Sequence, residues 1–369
     1  MKSSIYKKIL TTAGAITAGL GILAGINAIV FRRATSDHLL EHEPGNLFHW
    51  RYGDVFYTVR GTGTPVLLIH GIYPGAGEHM MRTLSENLAA CHRVYTLDLP
   101  GFGRSDKPMI TFTAYFYVQL LNDFIEQVVK SPVDVIADSL SCTFCSLACQ
   151  MQPNFYRKLL FVNPCNTVEG APSPGFLSRL SRLLLETHIV GTFIYNLLTS
   201  RPILRRQYQN RGIDLTPTML TEIWESAHCK GSSAKYAYFS YLTHYMDADI
   251  IRPLAKIDHD LYVILSGDLL HFKQQKQRLE DINSSIEVEL MSPSAGLPGL
   301  KRRTNFYPSA TFIFPSDQNS SNRTKRQAEF RQLPCSHQKD GQRSDCFSPS
   351  FFITCINLHA LSAWIRLPL

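Results

Sequence analysis

The chain has 369 residues, of which 44% are hydrophobic, so it can bury a large core in one or two domains. Its formal net charge of +7 is carried mostly by residues 292–369, which hold 10 of the 37 Lys and Arg residues and 4 of the 30 acidic residues. The near-neutral remainder argues against nucleic acid as a partner. Nine cysteines without the regular spacing of a disulfide framework favour a reducing compartment.

Residues 9–31 form an uninterrupted stretch without a charged side chain. Basic residues flank it on both sides: Lys2, Lys7, Lys8, Arg32 and Arg33. A helix of these 23 residues is long enough to cross a hydrocarbon layer of ~30 Å. The apolar centre is longer than that of a cleaved signal peptide, and no polar face interrupts it. The sequence therefore predicts one membrane anchor and a linker in residues 1–45, and the basic residues at both ends leave the membrane face open.

Strand-like and helix-like segments alternate from residue 46 onward. Short β-branched and apolar runs predict strands at residues 54–60, 66–69, 93–97, 133–136, 159–164, 261–265 and 286–290. Helical apolar spacing predicts helices at residues 78–90 and 115–129. Strands separated by helices in this way predict an α/β fold with a doubly wound, mostly parallel sheet within residues 46–291.

A serine lies at the tip of a tight turn between the strand at residues 133–136 and a helix that begins after Ser141. Ala137 and Ser141, two residues before and after Ser139, are both small. A nucleophile elbow usually reads Gly-x-Ser-x-Gly, because the strand and helix backbones nearly touch at these positions. On this pentapeptide alone, an ordinary strand-to-helix turn is the favoured interpretation.

Three segments together resemble the α/β-hydrolases of the esterase, lipase, epoxide hydrolase and dehalogenase group. They are His-Gly-Ile at 70–72 after a hydrophobic strand, Asp-Leu-Pro-Gly-Phe-Gly-Arg-Ser-Asp-Lys-Pro at 98–108, and Asp-Ser-Leu-Ser at 138–141. The resemblance covers roughly residues 50–288 and makes the elbow the favoured interpretation of Ser139.

The resemblance implies roles for individual residues. Ser139 corresponds to the nucleophile, and the backbone N–H groups of Ile72 and Leu140 correspond to the oxyanion hole. His70 corresponds to a structural histidine of its loop. Asp138 comes one position before the aspartate nucleophile of dehalogenases and epoxide hydrolases, so serine chemistry is the better match.

The resemblance also implies a helical cap at about residues 170–249. Helical apolar spacing at residues 177–185, 190–198 and 219–227 agrees with such a cap. Five aromatic residues of this segment either contact substrate or, more simply, pack the cap on the core: Tyr236, Tyr238, Phe239, Tyr241 and Tyr245.

The other two members of a catalytic triad do not match the pattern. The acid is expected after the strand at residues 261–265, but Leu270 occupies its position and the one acid candidate, Asp268, comes two residues early. Gly296 stands where the histidine is expected. The remaining candidate histidines have a different context: His271, His337 and His359. Without a base, a serine hydroxyl is a poor nucleophile near neutral pH.

Residues 292–369 differ in character from the rest of the chain, since they are basic and rich in serine and proline. Three interpretations are open: a disordered extension, a divergent C-terminal lobe, or a shift in the reading frame. The abrupt end of the resemblance at this point favours the third.

The whole sequence predicts a membrane-anchored, serine-type hydrolase of ester (acyl) bonds with an incomplete triad, weak or inactive as it stands. Its substrate is expected to be a small-molecule or lipid-like ester. No cofactor, metal ion or nucleic-acid partner is predicted. The alternative is a catalytically inactive protein that keeps the hydrolase fold and its pocket for binding.

Overall fold

The computed structural model describes residues 2–291 except Glu43, Glu169, Gly212, Asp214, Gly267 and Asp268. The acid candidate Asp268, Gly296 and the basic tail at residues 292–369 therefore lie outside the described residues. The strands and helices given below belong to the described part of the chain.

An eight-stranded sheet forms the centre of the fold. Its strands are β1 (Asn46–Trp50), β2 (Gly53–Arg60), β3 (Thr64–Ile69), β4 (His92–Leu97), β5 (Val133–Asp138), β6 (Tyr156–Val162), β7 (Asp260–Ser266) and β8 (Glu287–Met291). Their order across the sheet is β1-β2-β4-β3-β5-β6-β7-β8. β2 pairs antiparallel with β1 and β4, and every pair from β4 to β8 is parallel. The predicted doubly wound, mostly parallel sheet is confirmed.

Helices connect the parallel strands. α2 (Arg82–Leu88) lies between β3 and β4, α3 (Ala114–Phe124) between β4 and β5, and α4 (Ser141–Met151) between β5 and β6. α10 (Ile251–Leu254) precedes β7, and α11 (Leu269–Ile282) connects β7 to β8. A π-helical turn, Ile125–Val129, extends α3 to the predicted end at residue 129.

The two faces of the sheet bury different cores, because successive side chains of a strand point to opposite sides. Leu67 and Ile69 belong to the larger core, and Val66 and Leu68 belong to a smaller one with residues of α2. β5 is buried along its whole length. The segment that leads to Ser139 is therefore fixed by packing on every side.

The predicted helix at residues 78–90 is wrong in its first part. A 3₁₀ turn, Glu78–Met80, comes first, and α2 begins only at Arg82. The backbone N–H of Glu78 donates to the Asp98 carboxylate at 2.5 Å, and the Glu78 carboxylate pairs with Arg60 at 3.0 Å. These contacts fix Glu78 in the turn, which the local sequence pattern does not show.

Five α-helices lie between β6 and α10, in the segment that the resemblance assigns to a cap. They are α5 (Phe176–Leu185), α6 (Val190–Leu198), α7 (Arg201–Gln209), α8 (Pro217–His228) and α9 (Lys235–Leu242). The sequence predicts α5, α6 and α8 but not α7, and it shows α9 only as an aromatic cluster. Ring contacts of Tyr195 with His228, Tyr238 and Phe239 pack α6 against α8 and α9.

One N-terminal helix, α1 (Lys2–Ala34), is long and apolar enough to cross a membrane, although a signal sequence shares these features. Its apolar side chains are exposed along most of its length. Its last turns are different: Asn27 and Ala34 are buried, and the ring of Phe31 packs edge-on against His228 of α8 at 5.3 Å. The helix is therefore joined to the helices between β6 and β7, and it does not end in a free linker.

Candidate active site

Ser139 lies in the turn between β5 and α4, near the centre of the sheet. Its φ of +55° is in the left-handed region, which is uncommon for residues other than glycine. Its backbone N–H donates to the carbonyl oxygen of Val162 at 2.8 Å, which ties the turn to β6. Ala137 and Ser141 are fully buried beside it. This is the strand–turn–helix geometry of a nucleophile elbow.

A side-chain hydrogen bond joins the elbow to the loop after β3. The hydroxyl of Ser141 donates to the carbonyl oxygen of His70 at 2.7 Å, in a fully buried position. Glycine, the usual residue at this place in an elbow, has no group that could make the bond. The turn with Ser139 and the loop with Ile72 are therefore fixed relative to each other.

His70 is neutral and holds its loop in place. Its Nδ1 donates to the carbonyl oxygen of Gly71 at 2.8 Å, and its Nε2 accepts from the N–H of Leu99 at 3.1 Å. Burial lowers the pKa of His70 to about 4, which agrees with these two roles. Both ring nitrogens are occupied, so the geometry supports a structural function for this histidine.

The two backbone groups predicted for the oxyanion hole lie on the two segments that Ser141 joins. Ile72 and Leu140 are both buried. Within the described residues, neither N–H donates to a backbone carbonyl. An N–H group that is held in a rigid turn and lacks an internal acceptor is suited to stabilise a negatively charged oxygen.

Asp138, directly before Ser139, is a buried carboxylic acid. Neither carboxylate oxygen has a hydrogen-bond partner of good geometry among the described residues. Burial raises the pKa of Asp138 to about 7, although the Tyr73 hydroxyl and the Arg211 guanidinium oppose the shift. The group therefore changes its charge near neutral pH, beside the candidate nucleophile.

Arg211 connects Asp138 to the helices above the sheet. Its guanidinium lies 4.5 Å from the ring centre of Tyr73, and burial raises the pKa of Tyr73 well above its ordinary value. Tyr73 and Tyr208 are buried, and Nη1 of Arg211 donates to the carbonyl oxygen of Gln207 at 2.9 Å. Arg211 therefore holds a positive charge against the buried Tyr73, close enough to Asp138 to oppose the rise in the pKa of that carboxyl.

The hydroxyl of Ser139 contacts a thiol instead of a base. Its Oγ lies 3.2 Å from Sγ of Cys165, just beyond β6. Burial raises the pKa of Cys165 to about 11, so the thiol is protonated near neutral pH and is a weak acceptor at best. Among the residues that the structure describes, no histidine forms a hydrogen bond with Ser139. The hydroxyl is positioned, but its activation is not provided by this part of the chain.

A histidine–carboxylate pair that the sequence analysis missed lies next to this thiol. Asp247 accepts from Asn166 at 2.9 Å and contacts Nδ1 of His244 at 2.9 Å. Asn166 directly follows Cys165, so the pair connects the loop after β6 to the segment before β7. The spacing of three residues between His244 and Asp247 was the available signal, but it is too common to indicate a site.

Leu270, the residue at the predicted acid position, lies at the start of a helix. Leu270 belongs to the first turn of α11 and is 66% exposed. Asp268 and the residues around Gly296 fall outside the described part of the chain. The described residues thus bring together Ser139, Ile72 and Leu140, and the acid and base positions stay predictions.

The comparisons with known proteins agree with this architecture. Residues 64–187 match the family model described as the alpha/beta hydrolase fold. A curated relative, the 2-hydroxy-6-oxo-6-(2'-aminophenyl)hexa-2,4-dienoic acid hydrolase of Metapseudomonas resinovorans, is 36% identical over 86 residues. That match spans 23% of this chain and 30% of the relative, so it concerns less than a third of the relative's length.

Solved structures of hydrolases are similar over much more of the chain. A serine hydrolase involved in carbazole degradation has a TM-score of 0.60 at 16% identity and covers 73% of this chain and 98% of its own. A bacterial membrane phospholipase A has a TM-score of 0.58 at 16% identity, covering 87% of this chain and 100% of its own. The carboxylesterase CesB of Bacillus subtilis has a TM-score of 0.56 at 13% identity, with 79% and 98% covered.

At these identities the solved structures show the fold alone. Together with the family match at residues 64–187, they establish that this chain has the α/β-hydrolase fold. The matched residues include the elbow and the loop after β3, and they end before β7.

Proposed function

We propose that this chain is a serine-type hydrolase of ester (acyl) bonds, with Ser139 as the nucleophile. The observation that carries the proposal is the φ of +55° at Ser139 in a turn between a buried parallel strand and a helix. The relative of 36% identity and the similar solved structures are named as hydrolases, which supports the class.

The proposed reaction follows acyl transfer. Oγ of Ser139 attacks the carbonyl carbon of the ester, and the N–H groups of Ile72 and Leu140 stabilise the oxygen that becomes negative. The serine proton is lost and the departing alcohol gains one, and an acyl-serine remains. Water then adds to the acyl carbon, and a carboxylic acid leaves as Ser139 regains its proton.

Low turnover is expected, because Leu270 and Gly296 stand at the positions of acid and base. Loss of one triad member costs on the order of 10⁴-fold in turnover, and loss of a second adds little because the triad acts as a unit. The remaining rate would come from substrate binding and the oxyanion hole.

The competing proposal is a binding protein that keeps the fold without catalysis. The contact of Ser139 with the Cys165 thiol favours it, because a protonated thiol does not activate a hydroxyl. The candidate ligands are the same in both proposals: small or lipid-like esters, which an enzyme would hydrolyse and a binding protein would only hold, with no cofactor in either case.

Labelling with a fluorophosphonate probe distinguishes the two proposals. An activated Ser139 becomes labelled in the full chain, and the label is absent from Ser139→Ala. Hydrolysis of p-nitrophenyl acetate is measured with both proteins beside a buffer blank. Equal rates for the wild type and Ser139→Ala, with no labelling of either, would remove the enzyme proposal and leave the binding protein.

A further inference from the structure

Helix α5 carries its apolar side chains on the outside of the protein. Five of its residues are exposed by half or more: Phe176 78%, Leu177 57%, Leu180 55%, Leu183 70% and Leu184 52%. At 3.6 residues per turn they share one side of the helix, within an arc of about 120°. A surface helix of a soluble protein normally turns such a face to the core.

The inner side of α5 is held by both polar and apolar contacts. Arg182 bonds to the hydroxyl of Thr111 and lies 4.7 Å from the ring centre of Tyr245, and Leu185 packs against the aromatic cluster of α6 and α9. Gly191, just beyond the helix, packs so closely on α5 that a Cβ there would overlap the carbonyl of Leu185. The orientation is therefore fixed by the protein's own contacts, and the apolar face has no covering among the described residues.

The position of α5 relative to α1 points to what covers this face. The side-chain amide of Asn27 in α1 donates to the carbonyl oxygen of Ile189, in the link between α5 and α6, at 3.0 Å. Asn196 of α6 donates in turn to Oδ1 of Asn27 at 2.9 Å. Both α1 and α5 pack on α6. The two helices with exposed apolar side chains, α1 and α5, are thus both held by α6.

The length of α1 places the joint between α1 and α6, formed by the hydrogen bonds of Asn27, at a membrane surface. A helix from residue 9 to Asn27 rises ~27 Å, which is close to the ~30 Å thickness of a hydrocarbon layer. Exposed Arg32 and Arg33 follow within two turns, and Arg179 is exposed on α5 itself. Positive side chains at that depth are attracted by anionic lipid headgroups.

We propose that α5 is an interfacial helix, which seats the segment between β6 and β7 on the bilayer that α1 enters. Its apolar face lies among the outer acyl carbons, ~5–10 Å into the boundary of the headgroups, and Arg179 lies in the headgroup layer. The bilayer is favoured over a second copy of the chain because α5 packs on the same helix, α6, as α1, which is itself long and apolar enough to cross a membrane. This inference does not depend on whether Ser139 is active.

Tryptophan fluorescence of the full chain in vesicles tests the position of α5. The vesicles contain phosphatidylcholine and phosphatidylglycerol, with bromine either high or low on the acyl chains. Leu180→Trp places the reporter at the centre of the apolar face, and Ser181→Trp, one residue further, places it about 100° round the helix, beyond the edge of that face. The signal of Trp50, Trp224 and Trp364 is subtracted by measuring the wild type.

Leu180→Trp is expected to be quenched several-fold more by the shallow bromine than Ser181→Trp, and more by shallow than by deep bromine. Iodide in the water is expected to quench Ser181→Trp the more strongly of the two. Equal bromine quenching of both variants would overturn the proposal. Protection of Leu180→Trp from bromine and iodide alike would also overturn it, because protein would then cover the face.

Discussion

Ser139 and Ser141 lie two residues apart and are expected to respond differently to loss of the hydroxyl. Ser139→Ala should abolish fluorophosphonate labelling, because the attacking oxygen is gone. Ser141→Ala should keep the labelling and lower the free energy of unfolding by about 1–3 kcal/mol, because the buried carbonyl of His70 loses its donor. Labelling and thermal unfolding of both variants in detergent measure the two effects.

The control is Ser178→Ala in α5, where the serine is half-buried and far from the elbow in sequence. It should change neither property. If Ser141→Ala abolished labelling as completely as Ser139→Ala, the role assigned to Ser139 would be wrong or incomplete.

Asp138 should make stability fall as pH rises. Its pKa is about 7 in the folded protein and near 3.8 in the unfolded chain, so between these values the folded state binds the proton more strongly. The contribution of Asp138 to stability is therefore complete at or below about pH 4, falls towards pH 7 and levels off above it. The full difference is on the order of 4 kcal/mol, at 1.36 kcal/mol for each pKa unit.

Asp138→Asn keeps the shape of the side chain and removes the titration. The slope of the unfolding temperature between about pH 4 and 7 should become flatter, and the variant should be the more stable protein at pH 8. Asp134→Asn on the same strand is the comparison: burial also raises the pKa of Asp134, but Arg157 pairs with the carboxylate at 2.8 Å and opposes the rise, so its slope should flatten by less. An unchanged slope in Asp138→Asn would mean that this carboxylate is ionised in the folded state at low pH.

At the scale of elements, the turn after β4 depends on a glycine. Gly103 has a φ of +49°, and a Cβ there would overlap the carboxylate of Asp98. That carboxylate cannot move away easily, because it is buried and accepts from the N–H groups of Glu78 and Arg104. Gly103→Ala should therefore cost clearly more than the ~1–2 kcal/mol of a left-handed alanine.

Gly231→Ala is the control, because it places an alanine at a positive φ without an overlap between its Cβ and another atom. Gly231 has a φ of +76°, and no atom lies within 4 Å of an added Cβ. Denaturant unfolding of both variants compares the two costs. Equal losses would show that Asp98 gives way, and the turn would then need glycine only for its φ.

The sequence predicted the buried strands well, because a strand inside a parallel sheet is apolar on both faces. The predicted strand at residues 133–136 lies within β5. Among the helices, the predicted residues 190–198 coincide with α6. It failed where distant contacts decide the structure. The break before α2 depends on Asp98, which lies 20 residues after Glu78. The charged helix α7 has only two buried residues, Leu204 and Tyr208, so its apolar pattern is weak.

The candidate site was predictable only in part. Ser139 and the loop after β3 follow strands directly, so the order of elements places them. Cys165, Arg211 and the pair of His244 and Asp247 come from three separate segments, and no local pattern brings them to the elbow. Leu270 was assigned to the acid position by analogy with the family pattern, and no local pattern showed that α11 begins at Leu269.

At the scale of the whole molecule, two truncations should separate anchoring from stability. The full chain should sediment with membranes and resist extraction by high salt. A variant that starts at Asn46 should leave the membrane but be less stable, since it lacks the backbone N–H groups of Leu39 and Leu40, which donate to the buried Glu225 carboxylate at 2.9 and 3.3 Å.

A variant that starts at Leu23 keeps these contacts and those of Asn27, but its remaining part of α1 is too short to cross a membrane. It should have a higher unfolding temperature than the variant that starts at Asn46, and thermal unfolding in the same detergent gives the comparison. Equal stability of the two would show that the joint between α1 and α6 adds nothing to the fold. If the full chain stayed in the supernatant, the prediction that α1 is a membrane anchor would be wrong.

The left-handed backbone conformation of Ser139 lowers the free energy of unfolding of the protein. Glycine would occupy a φ of +55° without the ~1–2 kcal/mol that a side chain costs there. Ser139→Gly should therefore unfold at a higher temperature than Ser139→Ala, although neither can form an acyl-serine. Under the proposed function, the strained backbone is the stability cost of holding the Ser139 hydroxyl at the tip of the turn.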